Sequence, residues 1–477
     1  MRPECIQAVT QAIGRTLNQA EIKGIEDRIK RNMRQLAQKD PQWQAKTEAD
    51  RLTEAADSAA RELVSEQNLK KKRVALTIMA HDRVSSYMAR FPDAPLEGLD
   101  RMLAFSSDGK SGIQSIESAG RAIRDDALSQ MLDVIDQTKG KFLGLMQDEA
   151  GNLALVRELH GQDSGNAAAK QAAKAFRDTA EKLRTRFNRA GGDVGFLDDW
   201  AMPRDHSQSK LAGNRDEWVG DHLKWANREK YLKEDGSRMN DAELTEFLDH
   251  AWLTLATGGT NKLTPGQASG NGARANQGSE ARQIHYKDAE SFIAAQKTYG
   301  EKNLLELLIG HVDRSARDIA LVEALGPNPN HLMKFFLDTG YKAQKEAAAP
   351  LKGVKGKAAR KIVELQRNNI QYIYEEIAGT REPPASPQLA NGFDTYRALN
   401  VASRLGSAVI TSVTDQGTLA LTAGVNGMPV MKVFANEMRM MNPADATDRR
   451  LAMRAGLGLN QLIGSLNRFG ADGLGST

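Results

Sequence analysis

The sequence predicts an all-α protein, an elongated assembly of many helices interrupted by one long Gly/Asn-rich loop. Three observations predict it. Ala, Gln, Glu, Lys, Arg and Leu, the strongest helix formers, dominate the composition, and aromatic residues make up only 5% of 477 residues. Apolar residues recur at steps of three and four along most of the chain, the period of one helix face. There is no alternation of strand and helix patterns, and no repeat of about 20–50 residues. Low aromatic content with abundant Ala favours close helix contacts and several modest cores over one large one.

The first helix is read from Ile22, Ile25, Ile29, Met33 and Leu36, a single apolar stripe closed by Pro41. Asn18 and Glu21 have capping-box spacing. The stripe fits packing inside its own subunit or a short coiled-coil seam between subunits, and these five residues are the candidate oligomer interface. Helices are expected at 48–66, 69–90 and 115–137, with Pro92 and Pro95 breaking the chain. Leu96, Leu99 and Leu103 form another helix face. An Ala-rich helix is expected over 164–189, ended by Gly191-Gly192. The segment GFLDDWAMPRDHSQSKLAG is irregular and leads to helices near 215–233 and 241–256, the latter opened by an Asn240–Glu243 capping box.

Residues 258–283 are Gly, Asn, Ala and Ser with few apolar residues, and read as an exposed loop. Helices resume at 288–299, 302–325, 330–347 and 357–378. REPPASP at 381–387 reads as a linker, followed by small-residue helices at 391–422, 427–440 and 445–468. The expected regions are therefore 1–92, 93–190, 191–257, a flexible loop at 258–286, a helical domain at 287–380, a linker at 381–390 and a C-terminal region at 391–477. Segment 401–433 is the most apolar, but Arg404 and Asp415 interrupt it; it reads as a packing helix, or as one that meets a membrane during a later transition.

The candidate chemistry is thin. AFSSDGKSG at 104–112 has the spacing of a relaxed phosphate-binding loop with Lys110. A working loop of that kind follows a buried strand, whereas LEGLDRML before it is a helix face, so a turn with Ser115 capping the next helix fits better. None of the eight histidines forms an H-E-x-x-H or H-x-H pair. Asp205-His206 reads as a locally bonded loop pair and Asp198-Asp199 as a solvated or capping pair. Cys5, the single cysteine, makes no intrachain disulfide. RFGADGLGS at 468–476 is similar to the G-A-x-G-L stretch of lytic transglycosylases, but AGLGLNQLIGSLNR before it has no acid to act as their catalytic Glu. No catalytic residue, cofactor or metal is expected. The net charge of +4 is slight for this length. Two basic runs stand out, Lys70–Arg73 and the Gly-interleaved Lys352, Lys355, Lys357, Arg360 and Lys361. The second is the candidate contact for DNA or an acidic surface, with no interleaved aromatics to stack on bases. MRPECIQAVTQ lacks a signal-peptide core, so synthesis without a standard export signal is expected.

Five blocks carry a family resemblance: MRPECIQAVTQAIGR, GGDVGFLDDWAMPRDHSQSKLAG, HAWLTLATGGT, YGEKNLLELLIGHVDRSARDIALVEALGPNP and LNVASRLGSAVITSVTDQ. Together they resemble internal virion, or DNA-ejection, proteins of short-tailed bacteriophages and the related large polyvalent proteins of prophages. The resemblance implies a homo-oligomer stored inside the capsid near the portal. It implies the portal protein, other internal virion proteins, phage DNA and, after ejection, the host membrane as partners. The implied locations are the virion first and the host envelope or periplasm afterwards. Two other readings stay open: a scaffold segment of a larger polyvalent enzyme, and a host-directed binding protein delivered with the DNA. The end at GLGST is expected to continue in a longer parent chain.

Overall fold

The computed structural model describes residues 7, 10, 16, 18–104, 112–136, 149–196, 202–257, 274–276 and 283–380. Among them are thirteen α-helices and no strand, so the fold is all-α. We label them α1 (Gln19–Lys39), α2 (Glu48–Met88), α3 (Pro95–Leu103), α4 (Ile116–Asp136), α5 (Glu149–Leu159), α6 (Ala167–Arg189), α7 (Gln208–Leu211), α8 (Arg215–Trp225), α9 (Asp241–Ala256), α10 (Ala289–Tyr299), α11 (Leu304–Leu325), α12 (Pro329–Ala347) and α13 (Gly353–Ala378).

Helix α11 is the hub, packing on α2, α4, α6, α12 and α13. Its sequence makes this possible. Leu305, Leu308, Val312, Ala316, Ile319 and Val322 are buried on it, as are Leu307, Leu321 and Leu325, so it is apolar around most of its girth. Small residues bring α4 close: a Cβ on Gly120 would lie 3.6 Å from the Ala320 methyl. Helix α6 contributes Ala169, Ala172, Ala173 and Phe176 to the same core, which lets it approach α4, α5 and α11. Asn303 opens α11 with a full capping box, accepting from the Glu306 N–H while the Glu306 carboxylate accepts from the Asn303 N–H. An Asn303→Ala variant is expected to lose about 1 kcal/mol of stability, read as a lower urea midpoint.

A second, smaller core lies between α1 and the first half of α2. It holds Ile25, Ile29, Met33, Trp43, Ala55, Ala56 and Ala59, with Leu36 packed against it. Gly236 pins this core to the chain between α8 and α9. Its φ is +84°, and any Cβ there would lie 2.8 Å from the Trp43 ring. The Gly236 carbonyl also accepts from Gln44 Nε2 at 2.9 Å.

Several expected boundaries move. The helices expected at 48–66 and 69–90 are one continuous helix, about 60 Å long at 1.5 Å per residue. Nothing between them breaks a helix: Gln67 and Asn68 interrupt the apolar stripe but not the backbone. The first half of α2 packs in the small core and Ala80, Val84 and Tyr87 pack in the large one, with no buried residue from 60 to 79. Half-buried Leu63 packs against the small core, and polar contacts hold the strut as well. Arg28 pairs with Glu66 at 2.8 Å, and Arg73 donates to the carbonyls of Gly191 and Ala275. Helix α8 stops at Trp225 rather than near 233, because the following chain pairs with the 285–287 segment through Asn227 N–H to His285 O and Lys287 N–H to Trp225 O. Helix α13 begins at Gly353 rather than 357, and α5 was not expected at all.

The stretch expected as an exposed loop, 258–286, is described at 274–276 and 283–286. There Asn276 and Gln283 are exposed, whereas Arg274 is 4% and Ala275 0% exposed, against expectation. One strong donor explains it, since the Arg274 guanidinium pairs with buried Asp318 and donates to the Ala378 carbonyl. The expected linker at 381–390, the helices beyond it and segment 401–433 lie outside the described residues.

Candidate functional site

Two places gather functional side chains. The first is the irregular Met202–Ser207 segment with α7, α8, α10 and the chain before α10. Met202, Trp218, His222, Tyr231, Tyr286 and Tyr299 are buried there. Arg204 lies over the Tyr286 ring at 4.7 Å and donates to the Ile284 carbonyl. Asp205 accepts from the backbone N–H groups of Glu301 and Lys302 at 2.8 and 3.0 Å. Burial works against the Asp205 carboxylate, but those two donors and the Lys302 charge outweigh it and hold it below its ordinary range. Ser207 donates to Glu301, and Lys210 closes the turn on the Gly300 carbonyl.

His222 is 1% exposed and stacks on Trp218 with centroids 3.8 Å apart. Its Nδ1 donates to the Trp218 carbonyl at 2.8 Å, so its Nε2 accepts from the Tyr286 hydroxyl at 3.2 Å. Burial pulls its pKa down to about 4. His206 is also held at about 4, by burial and by the Arg204 charge. Both rings are therefore neutral at pH 7. Burial and the Asp221 carboxylate, which accepts from Tyr299 at 3.1 Å, raise the Tyr299 hydroxyl. The arrangement sets neutral histidines and tyrosines in an aromatic core, where Trp218 Nε1 and His206 Nδ1 are buried without a hydrogen-bond partner among the described residues. Asp198-Asp199 lie outside the described residues, as does Lys110, although the described α3 does bring a helix, not a strand, to that turn. Ser115 accepts from the Ser118 N–H at 3.2 Å, as its spacing predicts. Among the described residues no group of three or more His, Cys, Asp or Glu side chains is placed to hold a metal ion.

The second place is the surface of the longest helices. The candidate interface stripe is not on it. Ile25 is 3% and Ile29 4% exposed, and Met33 is buried with them under α2 of the same chain, with Ile22 and Leu36 half-buried. Of the two readings of the stripe, packing inside its own subunit is the one seen, and not a seam between subunits: the α2 alanines Ala55, Ala56 and Ala59 are small enough to let it be covered internally. The basic run does lie outside. Lys352, Lys355, Lys357, Arg360 and Lys361 are all exposed at the start of α13. Lys361 pairs with Glu364 at 3.3 Å; the other four have no carboxylate partner among the described residues.

Sequence reasoning missed what lies between those cations. Val354 is 85%, Ile362 56% and Leu365 55% exposed. With Ala358 they fall within about 80° of the helix circumference. That face is opposite the buried one, which holds Gly356, Val363, Ile370 and Tyr374. The signal was legible as a second apolar stripe at 354, 358, 362 and 365, out of phase with the first. Helix α2 carries a further outward group, Val64, Val74, Ile78 and Met79, and Phe335 of α12 stands 47% exposed beside His81. No helix among the described residues is long and apolar enough to cross a membrane. No protein-family model matches this chain, and no curated protein and no solved structure is similar to it.

Proposed function

We propose that this chain is a non-enzymatic structural protein of a bacteriophage particle. It is held near the portal inside the capsid and released with the genome to help form a conduit across the host envelope. The observation that carries the reading is where the apolar surface sits. Large apolar side chains stand exposed in rows on the outward faces of α2 and α13, the surface of a protein that works by contact with other large bodies. The aromatic centre near His222 is buried and its two histidines are neutral at pH 7, which suits a structural role. The resemblance of the five sequence blocks supplies the phage context.

Self-assembly is part of this function. The Ile22–Leu36 stripe is covered within the chain, which leaves the outward face of α2 for copies of itself, the portal protein and other internal proteins. Phage DNA would meet the cations of α13. The purified chain, weighed by light scattering and imaged in negative stain, is expected as a ring or tube of many copies. A compact monomer at every concentration would count against the proposal.

A further inference from the structure

We infer that the first half of α13 is a membrane-surface element that docks flat on an anionic lipid bilayer. The inference deepens the reading above by naming the element that meets the envelope, and it rests on that reading only for where the bilayer is encountered.

Stability of the fold does not explain the start of α13. The N-terminus of a helix carries partial positive charge, so lysines there are unfavourable and Asp or Glu are preferred. Helix α13 has no acidic residue in its first turn, and its N-cap, Lys352, makes no side-chain capping bond. Lys355 stands in that first turn and Lys357 follows it. Four of the five cations have no carboxylate partner among the described residues, so no internal ion pair rewards them. The exposed apolar stripe is equally unhelpful to the monomer, since leaving a Val, Ile or Leu in water forgoes about 1.5–3 kcal/mol each.

One surface rewards both features at once. Val354, Ala358, Ile362 and Leu365 form the centre of the outward face, with Lys355 on one flank and Lys357 and Lys361 on the other. A helix lying in a bilayer interface buries such a stripe at the headgroup–acyl boundary while flanking lysines reach anionic headgroups. The other occupants fit less well. A second copy apposed through this face would bring its three flanking lysines against the same three, with Glu364 the sole carboxylate between Lys352 and Leu365 on each side. Duplex DNA would use the cations and leave the apolar stripe in water.

The test is co-sedimentation of the full chain with mixed phosphatidylcholine–phosphatidylglycerol vesicles and with pure phosphatidylcholine vesicles. Binding is expected to the mixed vesicles and to weaken with salt. Changing Lys355, Lys357 and Lys361 together to glutamine is expected to weaken it roughly a hundredfold. A second variant, Val354→Ser, Ile362→Ser and Leu365→Ser, is expected to lose vesicle binding while its thermal melt and its electrostatic binding to duplex DNA are unchanged. Equal partition onto both vesicle types would overturn the inference, as would wild-type vesicle binding by the serine variant. So would a lipid-indifferent dimer that the serine substitutions dissociate. Each of these leaves packaging in particles as a separate question, read from particle content.

Discussion

Replacing Arg274 with alanine is expected to cost about 3–5 kcal/mol, because it leaves the buried Asp318 carboxylate without its cation. Few substitutions elsewhere in the chain should cost as much. Arg274 is 4% and Asp318 7% exposed. The guanidinium joins Asp318 of α11 to the Ala378 carbonyl at the end of α13, the latter at 2.6 Å. Its neighbours extend the same staple. The Ala275 N–H donates to the Pro327 carbonyl at 3.1 Å, the Ala275 carbonyl accepts from Arg73 at 3.0 Å, and Asn276 Oδ1 accepts from the same guanidinium at 2.7 Å. Three residues thus tie together α2, α11, α13 and the turn between α11 and α12. The lost guanidinium costs most because Asp318 cannot reach water; burial already raises its carboxyl against the pull of Arg274. The double variant Arg274→Met, Asp318→Leu should recover most of the loss, since no unpaired charge then remains. Urea midpoints of the three proteins check this. An alanine variant within about 1 kcal/mol of wild type would show that the staple is not what holds these helices.

Acidification is expected to remove about 3 kcal/mol between about pH 7 and pH 5 through His206 and His222 alone. In the folded chain both stay neutral down to about 4, against 6.5 for a free imidazole. The unfolded chain therefore takes up protons that the folded chain refuses. The stabilisation is fully present above pH 6.5 and is lost as pH falls from there towards 4. The two charged rings would also repel each other and Arg204, which makes the second protonation harder still. Asp318 acts in the opposite sense, taking up a proton in the fold above its free value of 3.8, and offsets part of the loss. Urea unfolding across this range should show a falling midpoint, with a flatter slope in the His206→Gln, His222→Gln variant whatever its absolute stability. An unchanged slope in that variant would place the pH dependence elsewhere.

How much of this was legible in the sequence depends on the range of the interaction. Local signals held: the Asn240 and Glu243 side chains form the full capping box their spacing predicts, and Gly191 follows the end of the Ala-rich helix at φ +111°. The split assigned within α2 failed because apolar periodicity reports burial, and residues 60–79 bridge two cores with no fully buried residue, Leu63 only packing against the edge of the small one. Helix α5 was passed over although Leu155, Val156 and Leu159 are buried on it. The burial of Arg274 was hidden because its partners lie 44 and 104 residues away. At the candidate sites, the sequence located the cations of α13 but not the apolar stripe between them, since an apolar helical residue is read as core by default. It left the α1 stripe open between packing inside its own subunit and a seam between subunits, because nothing local shows that Ala55, Ala56 and Ala59 come to cover it.

The central claim is that this chain travels inside a phage particle and leaves with the DNA. Quantitative mass spectrometry of purified particles, before and after genome release is triggered, tests it most directly. The account predicts several copies per filled particle and loss of nearly all of them from the emptied shells. A chain absent from filled particles, or retained in full by the emptied ones, would contradict it.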